Sequence, residues 1–502
     1  MNNLAIIPAI LLMLLSCKLQ AQDNSTVNKC VPCGELTSLR LPDVRITEAS
    51  EVEGESLHCR VLGIIGKEIN FELLLPADWN ALFIMGGGGG FVGTIQNAAR
   101  PAVSSGYATS GTDTGHDSRN SMSADWALNN MERQLNFGHL AIHRTAEVSK
   151  AIIGNYYGYY PKYSYFIGCS RGGGQAMMEA QRYPDDFDGI VAGAPAFNWP
   201  AIAAEFIQNT QALYPVEFKE PLITRDHLRM LHDAIVSQCD LIDGVNDGIL
   251  SNPADCNFDF TSLPECPGNV TGKDCFTVSQ IDAIRSIYEG VDIGNGVTYP
   301  GFPFGGEKIA NGWDVWITGS EEIARQNIYP SLHAYFGIEI FKYLVLQDPE
   351  WDYRTYDFSG YEKEISYASA YLDATSTDYS RFKKRNGKII LWHGWNDPAL
   401  SAYATIEHYN EVKAIDPDIM DYMRLFLLPG VLHCGGGDGP SQVDWIALIR
   451  EWVENDNPPD RITASKTVPG ENVITRPLFP YPGQPLYNGK GDPHQESSYI
   501  KK

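Results

Sequence analysis

Three short stretches hold residue types able to cleave an acyl bond in concert. "FIGCSRGGGQ" (Phe166–Gln175) sets Ser170 in a Gly-x-Ser-x-Gly frame with Gly168 and Gly172, "IILWHGWNDPA" (389–399) carries Asp397, and "LLPGVLHCGGGDGP" (427–440) carries His433. A serine hydroxyl attacks a carbonyl only when a base takes its proton, and a histidine base needs a carboxylate to fix its tautomer. The negative charge that then develops on the carbonyl oxygen calls for backbone N–H donors. Arg171, directly after the serine, offers one through its main chain, and the glycine run Gly86–Gly90 offers a second, best placed at Gly89 or Gly90. No Lys-Ser/Thr follows those glycines, so they do not read as a phosphate-cradling loop.

Other residues compete for these roles. His393 comes before Asp397 at the end of an apolar run, a position that together with Leu400 suits the floor of a pocket. His408 lies in "TIEHYNEV", a helical stretch, where a surface position is expected. Asp438 follows the histidine within a Gly-rich loop.

The elements around these residues fit the chemistry. Before Ser170 comes the β-rich run "YSYFIG", and after it a helix that begins with three glycines and ends near Pro184. This is a strand-to-helix elbow, where small neighbours let the backbone turn sharply and expose the hydroxyl. Two apolar β-rich runs in 65–93, a helical period over 131–158 and a buried strand in 187–195 precede or follow it. The rhythm stops near Trp199 and returns with strand, loop and helix over 387–412, a strand in 422–434 and a helix over 442–455. Strands alternating with helices predict an α/β fold with a parallel sheet. Asp397 and His433 each follow a strand, in the chain order Ser, Asp, His of α/β-hydrolases. The predicted organisation is a catalytic domain over 22–198 and 376–502, interrupted by an aromatic- and Gly/Pro-rich segment, 199–375.

The 502 residues, 43% hydrophobic, are ample for a large core, and the net charge of -24 makes nucleic acid and anionic membrane surfaces poor partners. Leu4–Leu15 is an apolar run of signal-peptide length, too short to span a bilayer well. Cleavage after Ala21 would free the chain, whereas "LLSC" resembles a lipobox that would leave Cys17 lipidated. No later stretch is apolar enough for a membrane span, so the mature protein is expected outside the cytosol, secreted, periplasmic or lipid-tethered. Ten cysteines in an exported chain suggest disulfides, and none repeats with zinc-ligand spacing.

Two cysteines flank the candidate chemistry: Cys169 beside Ser170 and Cys434 beside His433. A serine–histidine hydrogen bond draws the two backbones together, so these neighbours come within disulfide reach, about 4.4–6.8 Å between Cα atoms. A bridge there would pin the histidine loop to the elbow; two buried free thiols is the alternative. "CDLIDGVNDGILSNPADC" (Cys239–Cys256) bunches Asp240, Asp243 and Asp247 in a Gly-bearing loop. Crowded hard oxygens suit Ca²⁺, and solvated Asx turns are the competing reading.

Cys169-Ser170, Asp397 and His433-Cys434 together resemble the Cys-Ser…Asp…His-Cys constellation of the tannase / fungal-type feruloyl esterase family, which also includes enzymes hydrolysing mono-(2-hydroxyethyl) terephthalate. "GYATSGTDTGH", "AQRYPDDFDGIVAGAPAFNW", "CDLIDGVNDGIL" and "RPLFPYP" extend the resemblance over nearly the whole chain. It implies an α/β-hydrolase fold with a lid at 199–375 and hydrolysis of aromatic (phenolic) acid esters, free or linked to plant polysaccharide. Galloyl esters and terephthalate monoesters are the neighbouring substrate possibilities, and a catalytically inactive binding protein is the reading from another class. The resemblance further implies a structural lid calcium on Asp240, Asp243, Asp247 and the carbonyls of Val245 and Ile249. The implied disulfides are Cys33–Cys59, Cys169–Cys434, Cys239–Cys256 and Cys266–Cys275. The family often has a further bridge starting at "RPLCPYP"; here that position is Phe479, and the scheme leaves Cys30 unpaired.

Overall fold

The computed structural model describes residues 29–502 except 55, 119–122, 217, 219–220, 295, 320–328 and 471–472. The signal segment 1–21 and Cys17 lie outside the described residues.

Nine strands form the central sheet among the described residues: β1 (Val44–Val52), β2 (His58–Ile65), β3 (Ile69–Pro76), β4 (Leu82–Gly86), β5 (Ala108–Thr112), β6 (Tyr163–Cys169), β7 (Gly189–Gly193), β8 (Lys388–Gly394) and β9 (Met423–Leu428). Their spatial order is β1-β2-β3-β5-β4-β6-β7-β8-β9. The pairs β1/β2, β2/β3 and β3/β5 are antiparallel, and from β5 to β9 every pair is parallel. The sheet is therefore mixed rather than parallel throughout, and the sequence shows why. β2 alternates half-buried and buried residues, the pattern of an antiparallel strand covered on one face. β4, β7 and β8 are buried at every position, as parallel strands covered on both faces must be.

Helices α1 (Ala141–Tyr157), α2 (Arg171–Arg182), α3 (Trp199–Leu213), α4 (Leu332–Glu339), α5 (Ala402–Ile415) and α6 (Trp445–Asn455) matter for the site. A π-helical turn, Asn136–Leu140, runs directly into α1. His408 lies on α5 but is buried against the Tyr379 hydroxyl at 3.0 Å, so it is a core residue and not the expected surface one.

The segment between β7 and β8 packs in two ways. Leu213 through Ile317 contributes a hydrophobic cluster of its own around Leu231, Ile284 and Trp313. Trp199–Ile207 at one end, and Ile338–Leu372 at the other, join the main core that also contains Phe137, Met177 and Leu400. Both arms of the insertion are thus rooted beside the sheet's carboxyl end.

Candidate active site

Ser170 sits between β6 and α2 at φ 63, ψ -124, in the left-handed half of the backbone map that a non-glycine residue rarely adopts. Its N–H donates to the Gly193 carbonyl (3.0 Å), and its own carbonyl accepts from Gly174 (3.0 Å) and Ala196 (2.9 Å). Those bonds hold the turn. The glycines after it are required by close approach: a Cβ on Gly173 would lie 2.2 Å from the Gly193 oxygen, and one on Gly174 1.9 Å from the Ala196 oxygen.

Asp397 follows β8 and is fully buried. Its Oδ1 accepts from the N–H groups of Ala399 (2.8 Å) and Leu400 (3.0 Å), and its Oδ2 accepts from His433 Nδ1 at 2.8 Å. Burial pushes this carboxyl up, but His433 and His393 more than offset it and hold Asp397 well below the usual carboxylate range. His433, on the loop after β9, therefore has its Nδ1 occupied and its Nε2 left for another partner. Ser170, His433, Gly90 and Arg171 all line one cavity.

His393 does not line that cavity. It is wholly buried behind Asp397, with Nε2 3.2 Å from Asp397 Oδ2 and 3.0 Å from the Leu400 carbonyl, and Nδ1 2.9 Å from the Thr405 hydroxyl. Leu400 does line the cavity, as expected.

The two expected oxyanion donors fare differently. Arg171 opens α2, so its N–H lies at a helix N-terminus where negative charge is favoured. Its side chain turns away from solvent: one guanidinium nitrogen donates to the carbonyls of Phe137 and Gly138 in the π-helical turn, and the group lies 4.4 Å from the Phe137 ring centre and 5.2 Å from that of Trp199. Burial lowers it to about 9, still protonated at neutral pH. In the glycine loop the Gly89 N–H is already donated to Gln96 Oε1 at 2.7 Å. Gly90, at φ 55, stands on the cavity wall.

The cavity is narrow and open to solvent. Its described wall is made of Trp199, Ile202 and Phe206 on α3, Phe336 and Ile340 from the α4 region, Trp316, Ala196, Ala399 and Leu400. Trp316 meets His433 edge-on, with ring centres 5.1 Å apart at 68°, and stacks on Phe336 at 6.0 Å. Trp316 alone of the aromatics in "YPGFPFGGEKIANGWDVW" appears in that wall. Phe302 and Trp313 are buried in the insertion's own cluster, with Phe304 packed against it. Sequence reasoning missed Trp199, Phe206 and Phe336, whose shared cavity is created by tertiary packing and leaves no local pattern.

Four of the expected disulfides are present: Cys33–Cys59, Cys169–Cys434, Cys239–Cys256 and Cys266–Cys275. Cys169 and Cys434 have Cα atoms 5.8 Å apart. Cys30, left unpaired by the sequence scheme, is itself disulfide-bonded.

In the aspartate loop, Asp240 and Asp243 are buried and have no ion pair among the described residues. Asp240 accepts from Gly248 N (3.1 Å), and Asp243 from Val245 N (3.2 Å) and Ser251 N (3.0 Å). Asp247 accepts from Ile249 N (3.1 Å) and pairs with Arg476 at 2.6 Å. Burial raises Asp240 to about 6 and Asp243 in the same direction. The described residues whose metal-capable atoms all converge within 4.8 Å are a different set, His143, Glu179 and Asp186, toward the far end of α2 from Ser170.

A mixed sheet with a nucleophile-type elbow at the end of β6, and acid and histidine loops after β8 and β9, defines an α/β-hydrolase. Comparison with known proteins specifies it further. Residues 51–502 match the family model "Tannase and feruloyl esterase", and the chain belongs to this family of carboxylic ester hydrolases. It is 32% identical to the mono(2-hydroxyethyl) terephthalate hydrolase of Piscinibacter sakaiensis, over 88% of this chain and 84% of that one. It is also 32% identical to a probable feruloyl esterase of Arthroderma benhamiae, over 86% and 82% respectively. Among solved structures, an esterase from Aspergillus oryzae superposes with a TM-score of 0.84 at 26% identity, covering 94% of this chain and 99% of that one.

Proposed function

We propose that this protein is an exported serine esterase that hydrolyses aromatic (phenolic) acid esters of the feruloyl-esterase/tannase type. One observation carries the reading: His433, hydrogen-bonded to the buried Asp397, and the strained Ser170 elbow border the same cavity, which is walled by Trp199, Phe206, Trp316 and Phe336. In the mechanism, His433 Nε2 takes the Ser170 proton as Oγ attacks the ester carbonyl. Asp397 holds the Nδ1–H and stabilises the imidazolium that forms. The N–H groups of Arg171 and Gly90 bind the developing oxyanion. His433 then returns the proton to the leaving alcohol, giving the acyl-enzyme, and the same groups activate a water that releases the acid.

Substrate choice falls to the cavity wall. A planar aromatic acyl group buries large apolar area there and stacks on the rings, about 0.5–1.5 kcal/mol per pair beyond burial. Segment 199–375 acts as a lid in this scheme, since Trp316 closes over His433 from it.

A structural Ca²⁺ held by Asp240, Asp243, Asp247 and the Val245 and Ile249 carbonyls is supported by the burial of Asp240 and Asp243, carboxylates that a cation would neutralise. Bound there, the ion would brace the lid through charge alone, with no part in bond cleavage. Four described disulfides support an oxidising location, since such bridges are rare in the cytosol. No helix among the described residues is long and apolar enough to cross a membrane.

The test is kcat/KM on feruloyl, galloyl and acetyl esters of one alcohol. The aromatic acids should be favoured severalfold over acetyl; equal values would refute aromatic selection.

A further inference from the structure

The glycine loop after β4 presents its N–H groups in sequence, and each has a different fate. Gly87 N–H donates to the Ile167 carbonyl of β6 at 2.8 Å. Gly88 N–H donates to Gln175 Oε1 at 3.2 Å, and Gly89 N–H to Gln96 Oε1 at 2.7 Å. The Gly90 N–H has no protein acceptor among the described residues, and Gly90 borders the cavity beside Ser170. A loop in which two side-chain carbonyls take successive amides and the next, half-buried at the cavity wall, is left over is a built arrangement.

Gln175 carries a further sign of purpose. It is 1% exposed, and its Nε2 amide group has no hydrogen-bond partner. Leaving a buried donor unsatisfied is unfavourable, and an apolar side chain of the same shape would avoid it. Gln175 also lies one turn along α2 from Arg171, whose N–H is the other oxyanion donor. It therefore ties the helix that supplies one donor to the loop that supplies the other. Gln96 anchors the opposite side, its own N–H bonded to the Thr112 carbonyl at the end of β5 (3.2 Å).

We propose that Gln96 and Gln175 are positioning residues for ester hydrolysis, holding the Gly88–Gly89 amides so that the Gly90 N–H points at the oxyanion that forms over Ser170. This rests on the serine mechanism proposed above. Neither glutamine touches the reacting atoms; both act through Gly90.

The experiment compares Gln175→Met, Gln96→Met and Gln96→Glu with the unaltered full chain. Removing one oxyanion donor outright lowers kcat by about 10²–10³-fold, and loosening one is expected to give roughly 10- to 100-fold. Both methionine variants should lose that factor in kcat with KM within about twofold. Gln96→Glu, which keeps an acceptor at a part-buried site, should recover most of it. Binding of an aryl boronic acid, which mimics the tetrahedral state, should weaken in step with kcat, while binding of the free aromatic acid stays unchanged. Tm of Gln175→Met should change little, because the unsatisfied Nε2 is removed while the Gly88 N–H loses its acceptor. Retained kcat in both methionine variants, or losses of kcat that only follow losses of Tm, would overturn the positioning role. Ser170→Ala run alongside separates the two readings: if it stays active, the serine mechanism fails; if it is dead while the methionine variants turn over normally, only this inference fails.

Discussion

Replacing Cys169 and Cys434 together by alanine should injure turnover far more than secondary structure. Both bridged residues adjoin the chemistry, and Cys434 itself sits at φ 60, followed by Gly435, Gly436 and Gly437, all at positive φ. Ser170 is held by three backbone bonds of its own, so the part released by losing the bridge is the histidine loop. A non-glycine residue in the left-handed region costs roughly 1–2 kcal/mol. Without the bridge, relaxation at position 434 is opposed only by the loop's own bonds, such as Gly435 N–H to the Leu432 carbonyl (3.3 Å), and by the His433–Asp397 bond; at about 1.36 kcal/mol per factor of ten kcat should fall by up to roughly 5- to 30-fold. Thermodynamic stability falls as well. The bridge has a sequence separation of 265, for which the chain-entropy model gives about 5.6 kcal/mol as an upper figure. The assay is kcat and KM on an aromatic ester, with far-ultraviolet circular dichroism and Tm. Cys266→Ala with Cys275→Ala, a bridge of sequence separation 9 away from the cavity wall, serves as the control and should keep kcat. A Cys169/Cys434 double variant with kcat within twofold of the parent would refute the argument that this bridge orients His433.

Trp316→Ala removes the ring that meets His433 edge-on and stacks on Phe336; kcat/KM for aromatic esters should drop about tenfold or more while acetyl esters change little, and equal losses on both would contradict a role in acyl selection. Glu205, on α3 with both carboxyl oxygens buried and unpartnered, is pushed well above the ordinary carboxyl range by burial. A raised folded-state value means the native protein binds the extra proton, so stability declines as pH rises above the unfolded value near 4.5 until the folded value is reached. Glu205→Gln should therefore match the parent near pH 4 and gain Tm over it progressively toward pH 8; parallel Tm curves would show that Glu205 is not held protonated. Chelation of the full chain should lower Tm through lost linkage and leave turnover intact at temperatures where the protein stays folded; immediate loss of activity in folded protein would place the ion in the chemistry instead.

The residues proposed as the triad were legible because each follows a strand in a fixed chain order, and strand and elbow are local patterns. Cys169 and Cys434 were legible because each adjoins a candidate catalytic residue, and the bridge between them ties the histidine loop to the elbow. His393 was misread: the end of β8 lies beside the cavity, but its ring points back to Asp397, Leu400 and Thr405, an orientation set by contacts that come from the next loop and helix. Gly89 and Gly90 could not be separated on paper because the distinction depends on Gln96 folding back onto the loop. Likewise the ring wall joins residues from α3, α4 and the segment near Trp316, and the buried polar groups Arg171 and Glu205 carry no periodic mark of their burial. The antiparallel edge of the sheet was missed because alternation in β2 was overshadowed by the βα rhythm that follows.

The measurement closest to the central claim is stoichiometric labelling with an aryl phosphonate, followed by peptide mass spectrometry and assay of Ser170→Ala. One phosphonyl group per chain is expected, on Ser170, with loss of ester hydrolysis in step with labelling and a folded, inactive Ser170→Ala variant. Labelling at another residue, or more than a few per cent of parent activity in Ser170→Ala, would contradict it.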